Sequence, residues 1–131
     1  MALAADRNTP ERGAKDFAFA PAAGQQIFRG ALVALDASGE LVKGAVATTL
    51  KALGRADNST EDAGYDGVIR GRRGCFRWKN SAAGDAITNA DYGATVYIVD
   101  DETVAKTNGT NTRSAAGICR GVDAQGVWVE T

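Results

Sequence analysis

The chain has 131 residues, of which 44% are hydrophobic, and its 15 basic side chains nearly balance 16 acidic ones. That length supports one domain with a single core, and the lack of a basic excess argues against a general nucleic-acid binder. No apolar run approaches the ~18 residues of a membrane helix, and charges stand where a signal peptide would be apolar. We therefore expect a soluble protein, made in the cytoplasm, that binds neither membrane nor nucleic acid.

The first 24 residues show neither a helical nor a strand period, and two prolines disfavour regular structure there. A polar run over residues 6–16 is followed by the alternating apolar patch Phe17-Ala18-Phe19. We interpret residues 1–24 as an extended N-terminal arm that precedes a β domain of residues 25–131. The two phenylalanines either tether this arm to a neighbour or to its own sheet, or belong to an ordinary first edge strand that starts near Asp16.

Short strand patterns recur along the rest of the chain, which is rich in β-branched and aromatic residues and in glycine. They cover residues 27–35, 40–42, 50–56, 67–79, 95–99, 103–105, 117–122 and 127–130. Hairpin turns are predicted at 36–39 and 123–126, a bulge or tight turn at Gly71 and Gly74, and a single helical turn at 87–92. The pattern predicts an all-β protein, a small sandwich or barrel of short antiparallel strands.

Cysteine and tryptophan positions indicate core packing. Cys75 and Cys119 each lie inside a predicted strand, and we interpret them as small, buried and reduced side chains; a bridge between them is the alternative if their strands are neighbours. Period two places Phe76 and Trp78 on one face of their strand. Trp128 also lies at a position typical of core.

The sequence contains no convincing catalytic or cofactor site. It lacks histidine, so the usual general base and nucleophile–histidine arrangements are absent, and two cysteines are too few for a zinc site. The glycines at 64, 67, 71 and 74 match neither the dinucleotide nor the phosphate-loop spacing. Acidic clusters at 57–62 and 100–102 lack the ligand order of a calcium loop, and we expect solvated turns there. We predict a non-enzymatic protein without cofactor or metal.

One concentration of basic residues stands out in the strand region of residues 67–79. Alternation predicts two of its cations on one face and three on the other. They could bind a phosphate backbone, acidic loops of a protein partner or solvent; the first ranks last because the chain has no net positive charge. The group comprises Arg70 and Arg72, and Arg73, Arg77 and Lys79.

A resemblance to a known family covers nearly the whole chain. It is closest in Asp-Ala-Ile-Thr-Asn-Ala-Asp-Tyr-Gly at 85–93 and in Val-Tyr-Ile-Val-Asp-Asp-Glu-Thr-Val-Ala at 96–105, and it includes the opening residues 1–12. These segments resemble the capsid cement or decoration proteins of tailed phages, in particular small head proteins of Mu-like phages and prophages. None of the shared segments is a chemical motif.

The resemblance implies a β-rich, non-enzymatic virion protein that binds the outer surface of an icosahedral capsid. Such proteins cement adjacent major capsid subunits against internal DNA pressure. The implied partners are the phage major capsid protein and further copies of this chain, with a homotrimer preferred over a dimer, after assembly in the host cytoplasm. A tail-tube or head-completion component is the alternative, and a polysaccharide-binding or hydrolytic module is less favoured.

The N-terminal arm supplies the residues that we expect to contact the capsid or a neighbouring copy. Deletion of residues 1–20 is expected to leave a folded protein that is no longer retained on capsids. The predicted contact residues are Asp6, Arg7, Arg12, Lys15, Phe17 and Phe19.

Overall fold

Ten short strands form two five-stranded sheets in the computed structural model, which describes residues 2–131. Two single-turn 3-10 helices, Ala83–Asp85 and Asn89–Asp91, lie between the sixth and seventh strands. The all-β prediction is confirmed. The strands are β1 (Asp16–Phe19), β2 (Leu32–Leu35), β3 (Leu41–Lys43), β4 (Lys51–Ala56), β5 (Ile69–Arg72), β6 (Cys75–Asn80), β7 (Thr95–Ile98), β8 (Thr103–Ala105), β9 (Ala115–Asp123) and β10 (Gly126–Glu130).

The C-terminal strands form a closed barrel in the order β10-β6-β8-β7-β9. The β9–β10 hairpin closes through Asp123, whose Oδ1 accepts hydrogen bonds from the backbone N–H groups of Gln125 at 2.8 Å and Gly126 at 3.0 Å. One pair, β6 with β8, is parallel, so the expectation of antiparallel strands throughout is wrong for this pair. A parallel pair needs a long crossover, and residues 81–102 supply it. The barrel core includes Trp78, Ile87, Val96, Ile98, Val104, Cys119, Val127 and Val129.

The other sheet, in the order β1-β5-β4-β2-β3, is closed by the chain segment that follows β1. The N–H of Leu41 on β3 donates to the carbonyl of Ala20 at 3.0 Å, and the N–H of Ala22 donates to the carbonyl of Leu41 at 2.9 Å. Pro21 makes an isolated parallel bridge with Leu41. Since Ala20 directly follows β1, the two outer strands of the sheet must lie close together. The sheet therefore curls until its two edges meet, and we call residues 16–22 the seam.

The seam encloses a second hydrophobic core. Phe17 is buried there, and its ring contacts the position where a Cβ on Gly71 of β5 would stand. The ring centroid of Phe19 lies 6.4 Å from that of Phe17, and Phe19 packs against the edge of the same core. Both phenylalanines therefore pack on the chain's own sheet, and the first edge strand starts at Asp16. The buried members of this core are Phe17, Ile27, Ala31, Val33, Leu41, Leu53, Ala56 and Ile69.

Strand β2 joins the barrel and the curled sheet because its successive side chains point to opposite faces. Leu32 belongs to the core of the C-terminal barrel and Val33 to that of the curled sheet. The N–H of Leu32 also donates to the carbonyl of Asp101 at 2.8 Å. A second connection is the buried hydroxyl of Ser114, which accepts from the N–H of Leu50 at 3.0 Å and donates to the carbonyl of Ala47 at 2.6 Å.

Local predictions are largely confirmed, with shifts at strand ends. The helical turn appears as Asn89–Asp91, started by a capping box in which Thr88 and Asp91 bond to each other's backbone. The predicted strand 27–35 is reduced to β2, because Gly30 adopts a positive φ of 91° that ends extended structure upstream. Ile27 is nevertheless fully buried in a loop. The predicted turn near Gly74 separates β5 from β6, which belong to different sheets.

Two burial predictions are wrong. Cys75 is exposed, whereas Cys119 is buried as expected, and both are free thiols. Trp78 is buried, but Trp128 is 38% exposed because its neighbours Val127 and Val129 take the interior face of β10. The cysteines lie on β6 and β9, the two strands that flank β10. Two strand spacings of about 4.8 Å put their Cα atoms beyond the reach of a disulfide.

Substitution of Phe17 should test the seam. We expect Phe17→Ala to lower the free energy of unfolding by about 3–5 kcal/mol, the usual result of truncating a buried aromatic ring. Phe28→Ala is the control, because Phe28 is 51% exposed; we expect its effect to stay within about 1 kcal/mol. Urea unfolding of both variants measures the difference, and equal losses would contradict the enclosed position of Phe17.

Candidate interaction surfaces

Residues 2–13 form an arm without helix or strand whose residues are all exposed. The arm leaves the curled sheet at a turn in which the N–H of Asp16 donates to the carbonyl of Gly13 at 3.3 Å. Its one side-chain hydrogen bond among the described residues joins Arg7 to Thr9 at 3.3 Å. The side chains of this segment are therefore free to contact another molecule.

The six predicted contact residues do not form one cluster. Asp6, Arg7 and Arg12 lie on the exposed arm and Lys15 is exposed at its root, whereas Phe17 is only 7% exposed and Phe19 is half-buried. While the seam is in place, a partner can reach the first four and cannot reach Phe17. The apolar patch of residues 17–19 therefore packs into the chain's own core.

The basic group of β5 and β6 is largely neutralised by the chain itself. The guanidinium of Arg70 binds both carboxylate oxygens of Asp66, at 3.2 and 2.7 Å, and the ammonium of Lys79 lies 2.8 Å from Glu102. Arg72 pairs with Asp16, and Arg77 with Asp123, each at 3.5 Å. Arg73 is the exception among these five. Such exposed pairs contribute little to stability, but they leave little free charge for a phosphate backbone.

The acidic clusters lie in surface turns, as predicted, and their carboxylates hold these turns together. The carboxylate of Asp62 accepts from the N–H of Ser59 at 2.9 Å and pairs with Arg29 at 3.1 Å. The carboxylate of Asp100 likewise accepts from the N–H of Glu102 at 2.9 Å. Within residues 2–131, no three acidic or cysteine side chains are grouped so that they could hold a metal ion.

The outside of the C-terminal barrel carries two exposed aromatic rings, each beside an arginine. The Trp128 indole N–H donates to Asp123 at 3.1 Å, and the Arg77 guanidinium lies 5.4 Å from the centroid of its ring. Tyr92 is 63% exposed, with the Arg120 guanidinium 5.7 Å from its ring centroid. We call Arg77, Tyr92, Arg120 and Trp128 the aromatic face. Tryptophan, tyrosine and arginine are the side chains that dominate binding energy at protein interfaces.

Sequence reasoning missed the aromatic face. The alternation of Val127, Trp128 and Val129 indicated the exposure of Trp128, because a strand residue between two core valines points away from the core. The position of Tyr92, after the 3-10 helix and at the start of a turn, also marked a surface site. No comparable signal exists for the pairing of either ring with its arginine, since Arg77 and Arg120 lie on β6 and β9.

An open groove of about 610 Å³ lies at the root of the arm. It is lined by residues 13–16 at the arm root, by Arg72 to Gly74 at the end of β5 and by Phe76 on β6. The N–H of Arg73 donates to the carbonyl of Lys15 at 2.7 Å and holds the two segments together. We call this the root groove.

Three aspartates that organise surface loops have lowered pKa values. The pKa of Asp85 is lowered by a hydrogen bond from the Thr107 hydroxyl and by Arg113, and that of Asp66 by its hydrogen bonds from Arg70. The pKa of Asp123 is lowered by the backbone N–H of Gln125 and the Trp128 indole. Partial desolvation raises the pKa of the Cys75 thiol, so this thiol stays protonated and weakly nucleophilic at neutral pH.

Comparison of the chain with protein-family models, with curated proteins and with solved structures found no match. Among the described residues, no helix has the length and apolar character needed to span a membrane.

The pH dependence of stability should report on the Asp85 contacts. Because the folded-state pKa lies below the ordinary value of 3.8, the carboxylate stabilises the fold fully above that pH, and this contribution disappears as pH falls through the lower folded pKa. We expect Asp85→Asn to be less stable than the natural protein at pH 7 and the difference to shrink toward pH 3, measured by urea unfolding. Asp6→Asn, on the exposed arm, should leave the free energy of unfolding unchanged both at pH 7 and near pH 3. If Asp85→Asn lowers the free energy of unfolding equally at pH 7 and near pH 3, the attribution to the ionised carboxylate is contradicted.

Proposed function

We propose that this protein is a structural virion protein of a tailed phage that binds the outer surface of the icosahedral capsid and cements adjacent major capsid subunits. The exposed arm of residues 2–13, attached to a body made of a closed barrel and a curled sheet, is the observation that carries the proposal. The resemblance in sequence to capsid cement proteins points to the same function. The proposed location is the outer face of the capsid.

The arm can reach well beyond the body to which it is attached. Its 12 residues can extend over roughly 40 Å, at about 3.3–3.6 Å per residue. A body seated on one capsid subunit can therefore place the arm on the next. Ordering the arm on binding costs conformational entropy, but the second contact forms at high effective concentration once the body is bound.

Preference for the expanded lattice would make the protein a stabiliser of the mature shell. A ligand that binds only one of two states shifts the equilibrium toward that state by mass action. Two contacts on neighbouring subunits are satisfied together only at the spacing of one lattice. In this way a small protein resists internal DNA pressure without any enzymatic step.

Contacts between copies of this chain are the second part of the proposal. The aromatic face presents two exposed rings with two arginines, and the charges of both arginines are already balanced by Asp123 and Glu130. A neutral face of this composition can be buried against another copy without net repulsion. We favour a trimer over a dimer, at local three-fold positions of the shell.

Removal of the arm tests the cementing contact. The deletion must stop at residue 13, because a cut at residue 20 would also remove β1 and open the core around Phe17. We expect the variant lacking 2–13 to keep the unfolding free energy of the full chain and to lose retention on purified expanded heads. Copy number per head, from quantitative gels against the major capsid protein, is the measurement.

Three outcomes of this experiment are distinct. Full-length protein at a copy number comparable to the capsid subunit, lost on arm deletion, supports the proposal. Equal retention of the truncated protein would remove the arm from the mechanism. A handful of copies per virion would instead indicate a tail-tube or head-completion component.

Substitution on the aromatic face tests self-association. We expect Trp128→Ala to weaken association between copies about tenfold or more, as truncation of a buried interface tryptophan commonly does. Val46→Ala, at an exposed position of the 44–50 loop, should leave association unchanged. Sedimentation over a range of concentrations measures both. Equal association of the two variants would exclude the aromatic face as the contact.

A further inference from the structure

The root groove holds positive charge that the chain does not neutralise. Nine of the fifteen basic side chains form ion pairs with carboxylates of this chain. Six have no such partner among residues 2–131, and two of the six line the same groove. The six are Arg7, Arg12, Lys15, Lys43, Lys51 and Arg73.

The two groove cations, Lys15 and Arg73, are direct cross-strand neighbours. Asp16 pairs with Arg72 in the register of β1 and β5, and the bond between the Arg73 N–H and the Lys15 carbonyl extends that register by one pair. Like charges directly opposite each other disfavour a sheet. The next cross-strand pair, Asp16 and Arg72, instead joins opposite charges in an ion pair. The repulsive pair at the groove is therefore a local feature that an anionic ligand would relieve.

The remaining lining of the groove suits a short protein segment. Phe76 provides a half-buried aromatic surface, with the Arg55 guanidinium 4.5 Å and the Trp78 ring 6.4 Å from its ring centroid. The acidic side chain at the adjoining rim, Glu130, is held by Arg120 at 2.8 Å. A ligand that carries carboxylates beside an apolar side chain would meet both cations and the ring.

We propose that the root groove binds an acidic, partly apolar protein segment, which on the capsid is a carboxylate-bearing loop of the major capsid subunit. This inference rests on the proposed function and names the chemistry of the partner surface. A nucleic acid fits less well, because the chain carries no excess of positive charge with which to follow a phosphate backbone beyond the groove. The groove adjoins the point where the arm departs, so attraction there positions the arm for its own contact.

Charge reversal in the groove is the central test. The probe is a fluorescein-labelled peptide of sequence Glu-Phe-Glu-Glu-Phe-Glu, with a Gln-for-Glu peptide and a single-stranded oligothymidine as comparisons, titrated with protein at low salt. The test variant is Lys15→Glu with Arg73→Glu, and Lys15→Gln with Arg73→Gln gives a neutral version. The matched control is Lys43→Glu with Lys51→Glu, which makes the same charge change at two unpaired lysines of the curled sheet. Urea unfolding checks that all variants fold.

The inference predicts that the natural protein prefers the Glu peptide to the Gln peptide by about tenfold or more. The charge-reversed groove variant should bind the Glu peptide about tenfold more weakly than the natural protein, and the neutral variant should lose less affinity. The Lys43/Lys51 control should bind the Glu peptide as tightly as the natural protein does. Absent binding of the Glu peptide, or equal losses in test and control variants, would overturn the proposal. Stronger binding of oligothymidine than of the Glu peptide, lost on groove reversal, would overturn the assignment to a protein ligand.

Retention on expanded heads separates the two proposals. Loss of retention by the groove variant, with the control variant retained, supports the groove as a capsid contact. Retention of both refutes the groove contact and leaves the decoration function intact. If the natural protein is not retained on heads, the decoration function fails, and the peptide titration alone decides whether the groove binds acidic segments.

Discussion

The arrangement of the whole molecule depends on how the edges of its first sheet are closed. Leu41 lies at the outer edge of β3, and both of its backbone groups bond to the segment directly after β1. The next outward amide, that of Lys43, bonds to the side chain of Gln25 at 3.0 Å. An open strand edge recruits other chains. The seam covers this edge and also encloses the core around Phe17. The same contacts therefore close the sheet and stabilise the fold.

This closure decides what the protein can offer to a partner. The C-terminal strands form a complete barrel and the curled sheet is closed by its seam, so pairing with a further strand is not the natural mode of contact. What remains outside is the arm, the aromatic face and the root groove. Each of these would act through side chains or through an exposed segment without regular structure, as the proposed contacts with a repeating shell and with further copies require.

Charge is distributed in the same selective way. Most cations of the two sheets are paired with carboxylates nearby, and each such pair is weak on its own because both groups are solvated. The collective effect is a nearly neutral body in which Lys15 and Arg73 are two unpaired cations that lie directly opposite each other. Neutral faces can be packed against copies, and a local positive site can select an acidic partner, so one small chain can support two kinds of contact.

The sequence by itself determined the features that depend on near neighbours. Alternation and turn residues predicted the all-β class, the hairpin turn at 123–126 and the helical turn within residues 87–92, because each is set by contacts within a few residues. Tertiary structure alone decided the parallel β6–β8 pair, the exposure of Cys75, the burial of Phe17 and the pairing of each cation with its carboxylate. These depend on which strands become neighbours and in what register. An alternating pattern shows that a strand has two different faces. Only the packing of the strands into the barrel and the curled sheet decides which face lies inside.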